Sequence, residues 1–487
     1  MTDHLRTKLA EIEDLEVALR LLQFDQQTLM PPAGGAARAD AIATTSKLMH
    51  ERQTAPELLE LLAAADDDDP VARVARRDTS KALRVPTELV GALAHASTAG
   101  QDAWQAAREA NDFAAFRPYL ERNIDLLRDY ASCFADEIDE PYDALLDDFE
   151  PGMRAADVRT AFAPLRDELP SLVAAAADRP AATLSGPFPI AGQRRAVRAI
   201  LERLGFDDAS WTLGDSAHPF STTIGRGDNR ITTRYSEHTL ESVLSSVHEF
   251  GHGLYEAQIA PELARTPLAH GCSMTLHESQ SRFWEVFVCG ELPFWQGAWD
   301  LLAGPLDGAL DELGPEGYLD AVQAVRRTPI RVEADPVSYP LHILLRFDLE
   351  LALISGDLAV ADLPAAWRDG VRELLGIEIA DDREGALQDI HWSACSFGYF
   401  PTYALGTMLA AQLWQAARAA LADLDDAIEA GELGPLREWL RERVHRYGRT
   451  YEPREQIRVA LGGDLDPEPY LAFVRARAGV TGASGLV

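Results

Sequence analysis

The segment Val247-His248-Glu249-Phe250-Gly251-His252 sets two histidines four residues apart, with a glutamate directly after the first. On an α-helix, residues four apart stand on one face, so His248 and His252 can turn their imidazoles toward one metal ion. Glu249 falls about 100° round the helix from His248, where its carboxylate reaches a water on that ion without filling a ligand position. A metal held this way lowers the pKa of its water toward about 7. Glu249 would take the proton as that water attacks a scissile carbonyl, then pass it to the leaving amine. Leu240, Val243, Leu244 and Val247 form an apolar stripe leading into the motif, as a helix requires. The motif alone is also compatible with a chance match or with a buried structural histidine pair.

Zinc catalysis wants three protein ligands and one open position. The next helical stretch, Thr275-Leu-His277-Glu278-Ser-Gln-Ser-Arg-Phe-Trp-Glu285, offers the third. Glu278 is the choice from the residues, with His277 and Glu285 as rivals, and Thr275-x-x-Glu278 also reads as a helix-capping box. The same residues admit a different chemistry. Glu249-x-x-His252 is one half of a di-iron carboxylate site, which would make an oxidoreductase, and a second such element stands at Glu442-Arg-Val-His445. Arg441, Arg443 and Arg446 crowd it, and a solvated helix face explains it better. A metal-binding scaffold without catalysis is a third class.

Such a centre needs a rigid frame, and the dominant signal is helix. Leu5 to Phe24, Ala36 to Ala65, Ala103 to Phe134 and Ala404 to Ile428 carry apolar residues at helical spacing, with breaks at Pro31 to Gly35, at Asp66 to Asp69 and at Gly186-Pro187. One stretch departs from this. Phe220 to Ile224 and Arg230 to Tyr235 are rich in β-branched residues and flank Gly225-Arg-Gly-Asp-Asn229, which predicts a small hairpin just before the motif helix. The expected fold is mostly α with a small central sheet. A helical lobe or lid spans 1–165 and a catalytic lobe 166–487, together one peptidase-sized domain.

Composition excludes several classes. The net charge of −33 argues against nucleic acid, which needs a basic footprint. The basic residues are nearly all Arg, with Lys only at positions 8, 47 and 81, which fits either a GC-rich genome or an acidic surface suited to high salt. No apolar run is long enough to span a bilayer, and the N-terminus lacks a secretory pattern. The scattered cysteines Cys133, Cys272, Cys289 and Cys395 read as thiols of a reducing compartment, so a cytoplasmic protein is expected.

Six short blocks in order resemble the Taq-type thermostable metallocarboxypeptidase family: His218-Pro219-Phe220 (HPF), Asp228 to Thr232 (DxRxT), His248 to His252 (HExxH), His277 to Gln280 (HES/GQ), Ile330 to Asp335 (IRxxAD) and Gly385 to Trp392 (GxxQDxHW). The resemblance implies a metal-dependent carboxypeptidase that releases single residues from peptide C-termini, with broad specificity and poor action on proline. It implies one zinc per chain, with cobalt able to substitute or activate, and a homodimer. It implies a helical clamshell similar to neurolysin and angiotensin-converting enzyme. It makes Glu278 the third ligand beside His248 and His252.

Within that resemblance, His391, Tyr399 and Tyr403 become candidate oxyanion donors, the last two on a stretch that looks like the tyrosine-bearing loop of related clamshell peptidases. Arg331 and Arg230 are candidates for gripping the substrate carboxylate, since a guanidinium fork binds it bidentately. A peptide can add to the hairpin edge at His218, Pro219 and Phe220 through main-chain hydrogen bonds. Asp335 and Asp389 would orient metal ligands or the arginines. The runner-up is an endopeptidase or dipeptidase with the same metal chemistry.

Overall fold

The computed structural model describes residues 2–177 and 179–479. The chain is mostly helical, with one small sheet. Three of the long periodic stretches are each divided in two by local backbone chemistry. Pro56 cannot continue the helix Gly35–Gln53, so Pro56–Ala63 starts anew behind an extended Ala55. Thr87–Ala110 ends on a left-handed Asn111, and Asp112 caps Phe113–Ser132 by accepting from Ala115 N at 3.1 Å. Pro401–Ala420 stops at an extended Leu421, and a left-handed Asp423 opens Leu424–Ala430. Apolar residues recur at helical spacing on both sides of these breaks, which is why periodicity alone misses them.

The hairpin forms as β2 (Ser221–Gly225) and β3 (Asp228–Thr233), antiparallel, with Thr222 opposite Arg230. A third strand, β1 (Trp211–Asp215), lies parallel to β3 on its other side, so the order is β1-β3-β2 and β2 is an edge. β1 carries little strand signal in the sequence; it is short and has a glycine and a terminal aspartate, both poor strand formers. Central β3 is buried at Ile231, Thr232 and Thr233, and packs against the helix that carries the histidine motif.

The main core takes residues from Ala107 to Ala478. Leu5, Leu9, Leu58, Leu62, Val71 and Val74 form a smaller core of their own, touching the body at Leu268. The helix Ala155–Ala176 carries the chain unbroken across 165/166, with Phe162, Leu165 and Leu169 in the main core. The N-terminal helix Asp3–Thr28 runs beside β2. Phe24 meets Phe220 at 5.7 Å and lies under the Arg230 guanidinium at 5.0 Å, while Arg20 Nη1 donates to Thr223 O at 3.2 Å. None of the described helices is long and apolar enough to cross a membrane.

Even if every basic side chain found a carboxylate, 78 − 45 = 33 acidic groups would remain unpaired. Exposed ion pairs are worth about 0–1 kcal/mol each and are also screened by salt, so the uncompensated repulsion should dominate. Raising NaCl from about 0.05 M to about 1 M shortens the screening length to about 3 Å. The thermal midpoint read by circular dichroism should rise; a fall would show that the ion pairs outweigh the net charge.

Candidate metal centre

The motif helix is Glu241–Ala257. Val243, Val247, Phe250 and Leu254 bury its apolar face, and Phe250 stacks on Trp211 of β1 at 5.2 Å. That fixes the opposite face, which carries His248 and His252. The facing element, the glutamate helix Met274–Arg282, starts at Ser273, whose Oγ accepts from Leu276 N at 3.3 Å. Thr275 is therefore not the cap, its N–H going instead to Glu150 Oε2 at 3.0 Å, and Glu278 is free of any capping duty. The helix continues as a π-helical turn, Phe283–Val288, which carries Glu285.

Two glycines let the glutamate helix come close enough. A Cβ on Gly251, inside the histidine motif, would stand 2.5 Å from Gln280 O and 2.6 Å from Ser281 Cα. On the other side, a Cβ on Gly406 of Pro401–Ala420 would stand 2.6 Å from Glu278 Cβ. A helix-interior glycine costs about 0.5–1 kcal/mol relative to alanine. Here that cost brings three helices to backbone contact exactly where a carboxylate must meet two imidazoles.

Glu278 Oε2 lies 3.4 Å from His252 Nε2 and 3.6 Å from His248 Nε2. An ion about 2.0–2.2 Å from each donor in tetrahedral geometry needs donor pairs about 3.3–3.6 Å apart. The three residues, one ligand atom each within 4.8 Å of the others, therefore fit a metal. The rest of Glu278 is held: Oε1 accepts from Arg282 Nε at 3.0 Å and Oε2 from Ser281 Oγ at 3.2 Å. Burial opposes its charge, yet His248, His252 and Arg282 bring its pKa down to about 2. Burial also opposes a charged His248, but Glu278 and Glu285 pull it up to about 9, while burial and the His248 charge hold His252 down at about 4. Glu249 is 7 % exposed. Burial raises its carboxyl to about 7, with Glu278 and Glu285 adding to the effect and His248 opposing it.

His277 and Glu285, the rival ligands, both sit behind the histidines. Glu285 Oε2 is 2.8 Å from His248 Nδ1, and His277 Nδ1 is 3.2 Å from His252 Nδ1. The second ExxH element does not join the centre. Glu442 pairs with Arg441 and Arg446 on the surface, as expected of a solvated face. His445, by contrast, is fully buried between Gln258 Oε1 and Gln280 Oε1, at 2.6 and 2.7 Å.

His391, Tyr399 and Tyr403 come together. His391 Nε2 is 3.3 Å from the Tyr403 hydroxyl, and the Tyr399 and Tyr403 rings lie 5.1 Å apart. Burial, with Arg331 nearby, pushes His391 down to about 3, so its ring is neutral. Burial first, and then Glu278 and Glu249, oppose ionisation of the Tyr399 phenol.

Both candidate arginines already hold a carboxylate of this chain. Arg331 is 6 % exposed; its Nε and Nη2 go to Asp389 Oδ1 and its Nη1 to the Tyr339 hydroxyl at 2.8 Å. Arg230 gives Nε and Nη2 to Asp228, both at 2.7 Å. Asp389 holds Arg331 together with the fully buried Arg346, a residue the sequence analysis passed over. The Asp335 carboxylate accepts from Val337 N, Ser338 N and Ser338 Oγ, which ties down the turn leading into the helix Tyr339–Ser355. Both aspartates brace the frame, and Asp389 orients arginines as expected, not metal ligands.

At the hairpin edge, Thr232 N donates to Phe220 O, so β2 turns the main-chain groups of Ser221 and Thr223 outward. The Thr223 carbonyl already accepts from Arg20. His218 is exposed, and Pro219 and Phe220 half-buried, at the start of that edge. Beyond His277, a cavity of about 460 Å³ opens between the N-terminal helix and residues 267–277.

The family model for carboxypeptidase Taq (M32) metallopeptidase matches residues 4–478. The chain is 37 % identical over 480 residues to thermostable carboxypeptidase 1 of Thermus thermophilus and 33 % identical over 471 residues to carboxypeptidase 1 of Bacillus subtilis, covering 94 % of both partners in each pair. Among solved structures, an M32 carboxypeptidase from Deinococcus radiodurans superposes with a TM-score of 0.93 at 35 % identity, covering 98 % of both chains. Pyrococcus furiosus carboxypeptidase gives 0.94 at 34 %, covering 98 % of this chain and 99 % of that one. The chain belongs to the M32 family and is a metallocarboxypeptidase.

The glycine contacts can be tested directly. Gly251→Ala and Gly406→Ala should each cost about 1–3 kcal/mol from overpacking and should leave the purified protein deficient in metal by elemental analysis. Full metal loading in both variants would mean that the close approach does not set the centre. Asp389→Ala strands two buried guanidiniums and should cost about 3–5 kcal/mol, read as a lower unfolding midpoint.

Proposed function

We propose that this member of the family releases single residues from peptide C-termini, using a metal held by His248, His252 and Glu278 and with Glu249 as the general base. The observation that carries this is the convergence of the three donor atoms beside a buried carboxylate that takes no part in their hydrogen bonds. A borderline donor set of two imidazoles and one carboxylate suits zinc, with cobalt able to replace it. When bound, the ion polarises the scissile carbonyl and acidifies its water. Glu249 then takes the proton of the attacking water and delivers it to the leaving nitrogen, a task suited to a carboxyl raised to about 7. Tyr399 and Tyr403, packed together beside neutral His391, donate to the developing oxyanion.

The peptide lies along β2, taking main-chain hydrogen bonds at Ser221, with His218, Pro219 and Phe220 beneath its C-terminal residue. Of the two arginines, Arg230 is the one a substrate carboxylate reaches: its side chain is 24 % exposed against 7 % for Arg331. Arg331 acts through the Tyr339 hydroxyl and the Tyr403 ring, which its guanidinium faces at 5.0 Å. The N-terminal helical lobe serves as the lid of the groove, docked through Phe24 and Arg20. Four unpaired cysteines favour the cytoplasm. Broad specificity, poor action on proline and a homodimer complete the proposal on family likeness; sedimentation of the purified chain reads the last.

The zinc-loaded protein should shorten a mixed-sequence peptide stepwise from its free C-terminus, and cleave the C-terminally amidated peptide far more slowly. Glu249→Gln should keep the metal and lose at least about 10²-fold in kcat, in the range of general-base catalysis. Mass spectrometry of the products decides. Internal cleavage of acid and amide alike would move the function to an endopeptidase, and a fully active Glu249→Gln would remove the base.

A further inference from the structure

The two histidines of the motif are supported differently. His248 Nδ1 meets a carboxylate directly, Glu285 Oε2 at 2.8 Å. His252 Nδ1 meets a second imidazole, His277 Nδ1 at 3.2 Å, and only the far nitrogen of that ring, Nε2, reaches a carboxylate, Glu256 Oε1 at 2.8 Å. Glu256 stands four residues after His252 on the motif helix, and His277 directly precedes Glu278 on the glutamate helix. The relay therefore starts and ends on one helix and crosses to the other between.

Its direction follows from valence. A histidine that offers Nε2 to a metal keeps its proton on Nδ1. That N–H must donate to His277, so His277 Nδ1 is bare and its proton sits on Nε2, where it donates to Glu256. The opposite tautomer of His277 would set two N–H groups against each other. The ring has little freedom to escape. A Cβ on Gly271 would stand 2.4 Å from His277 Cδ2 and 2.5 Å from Nε2, and Gly271 N donates to the same Glu256 Oε1 at 2.7 Å. The Tyr255 ring lies 5.0 Å away on another side. Phe149 and Met274 share the wall of the cavity that His277 lines, where an unrestrained imidazole would turn toward solvent.

We propose that Glu256, acting through His277, is a positioning residue for the metal: the pair fixes the tautomer and tilt of His252 and so sets how tightly the ion is held. This rests on the reading of His252 as a ligand. An outer carboxylate orients a ligating imidazole and raises its basicity, and losing one typically costs about 10–100-fold in metal affinity. The intervening ring transmits the effect because its two nitrogens cannot both be donors while neutral.

The test is zinc affinity of the full-length protein by competition with a fluorescent chelator, beside the thermal midpoint of the metal-free form. Glu256→Ala and His277→Phe should each bind zinc about 10–100-fold more weakly, while Glu256→Gln, which keeps an acceptor for His277, should lose less than Glu256→Ala. Wild-type affinity in both Glu256→Ala and His277→Phe would overturn the relay. So would equal losses in Glu256→Gln and Glu256→Ala, or losses matched only by a lower metal-free midpoint, since those mark a merely structural contact. His252→Ala separates the two levels. If it binds zinc as tightly as wild type, the ligand reading itself fails; if it abolishes binding while the other variants do not weaken it, only the relay does.

Discussion

A carboxylate buried to 2 % exposure at the meeting of three helices is the constraint on which the rest of the structure depends. An isolated charge there would cost several kcal/mol, so everything around Glu278 compensates it: two imidazoles, the Arg282 guanidinium and the Ser281 hydroxyl. The same set fits a metal ion. His248 is pulled up to about 9 because the carboxylates around it call for positive charge, and an ion between the three donors supplies that charge in place of the proton. Burial, with Glu278 and Glu285 adding to it and His248 opposing, holds the Glu249 carboxyl at about 7, far above an ordinary glutamate.

The helices pay for this proximity in glycine, at Gly251 and Gly406, and the outer frame holds what the glycines permit. On the histidine side, the Trp211–Phe250 stack ties the motif helix to the sheet. On the tyrosine side, Asp389 gathers Arg331 and Arg346, and Arg331 in turn lies against Tyr403 and bonds Tyr339. A buried cluster of this kind contributes little net stability but defines geometry when its charges are all paired. Its members come from segments far apart in the chain, and Tyr339 also lies under the Arg282 guanidinium at 4.4 Å, which ties the cluster to the glutamate helix.

The helical class, the hairpin before the motif and the convergence of His248, His252 and Glu278 were legible in the sequence, because each rests on local spacing. His248 and His252 are four apart, and Glu278 lies in the next helix. What depends on long-range packing was not. Periodicity overran the breaks at Pro56, Asn111 and Asp423 because apolar spacing resumes directly after each, while the break itself is a matter of local backbone chemistry. That Asp389 and Asp228 occupy the forks of Arg331 and Arg230 is set by packing and is not visible in the sequence. Glu256 had a signal that went unused, since it repeats after His252 the four-residue spacing of the histidine pair. Gly251 had one too, a helix-breaking residue inside a catalytic helix, which is costly unless another backbone comes close.

The most direct measurement is an anomalous-difference map from crystals of the zinc-loaded protein, recorded at the zinc edge. The account predicts one peak about 2.0–2.2 Å from His248 Nε2, His252 Nε2 and a Glu278 carboxylate oxygen, with the Glu249 carboxylate outside bonding distance of the ion. A peak ligated by Glu249, by Glu285 or by the Glu13, Glu16 and His270 cluster under the N-terminal helix, with none between the motif histidines, would contradict it.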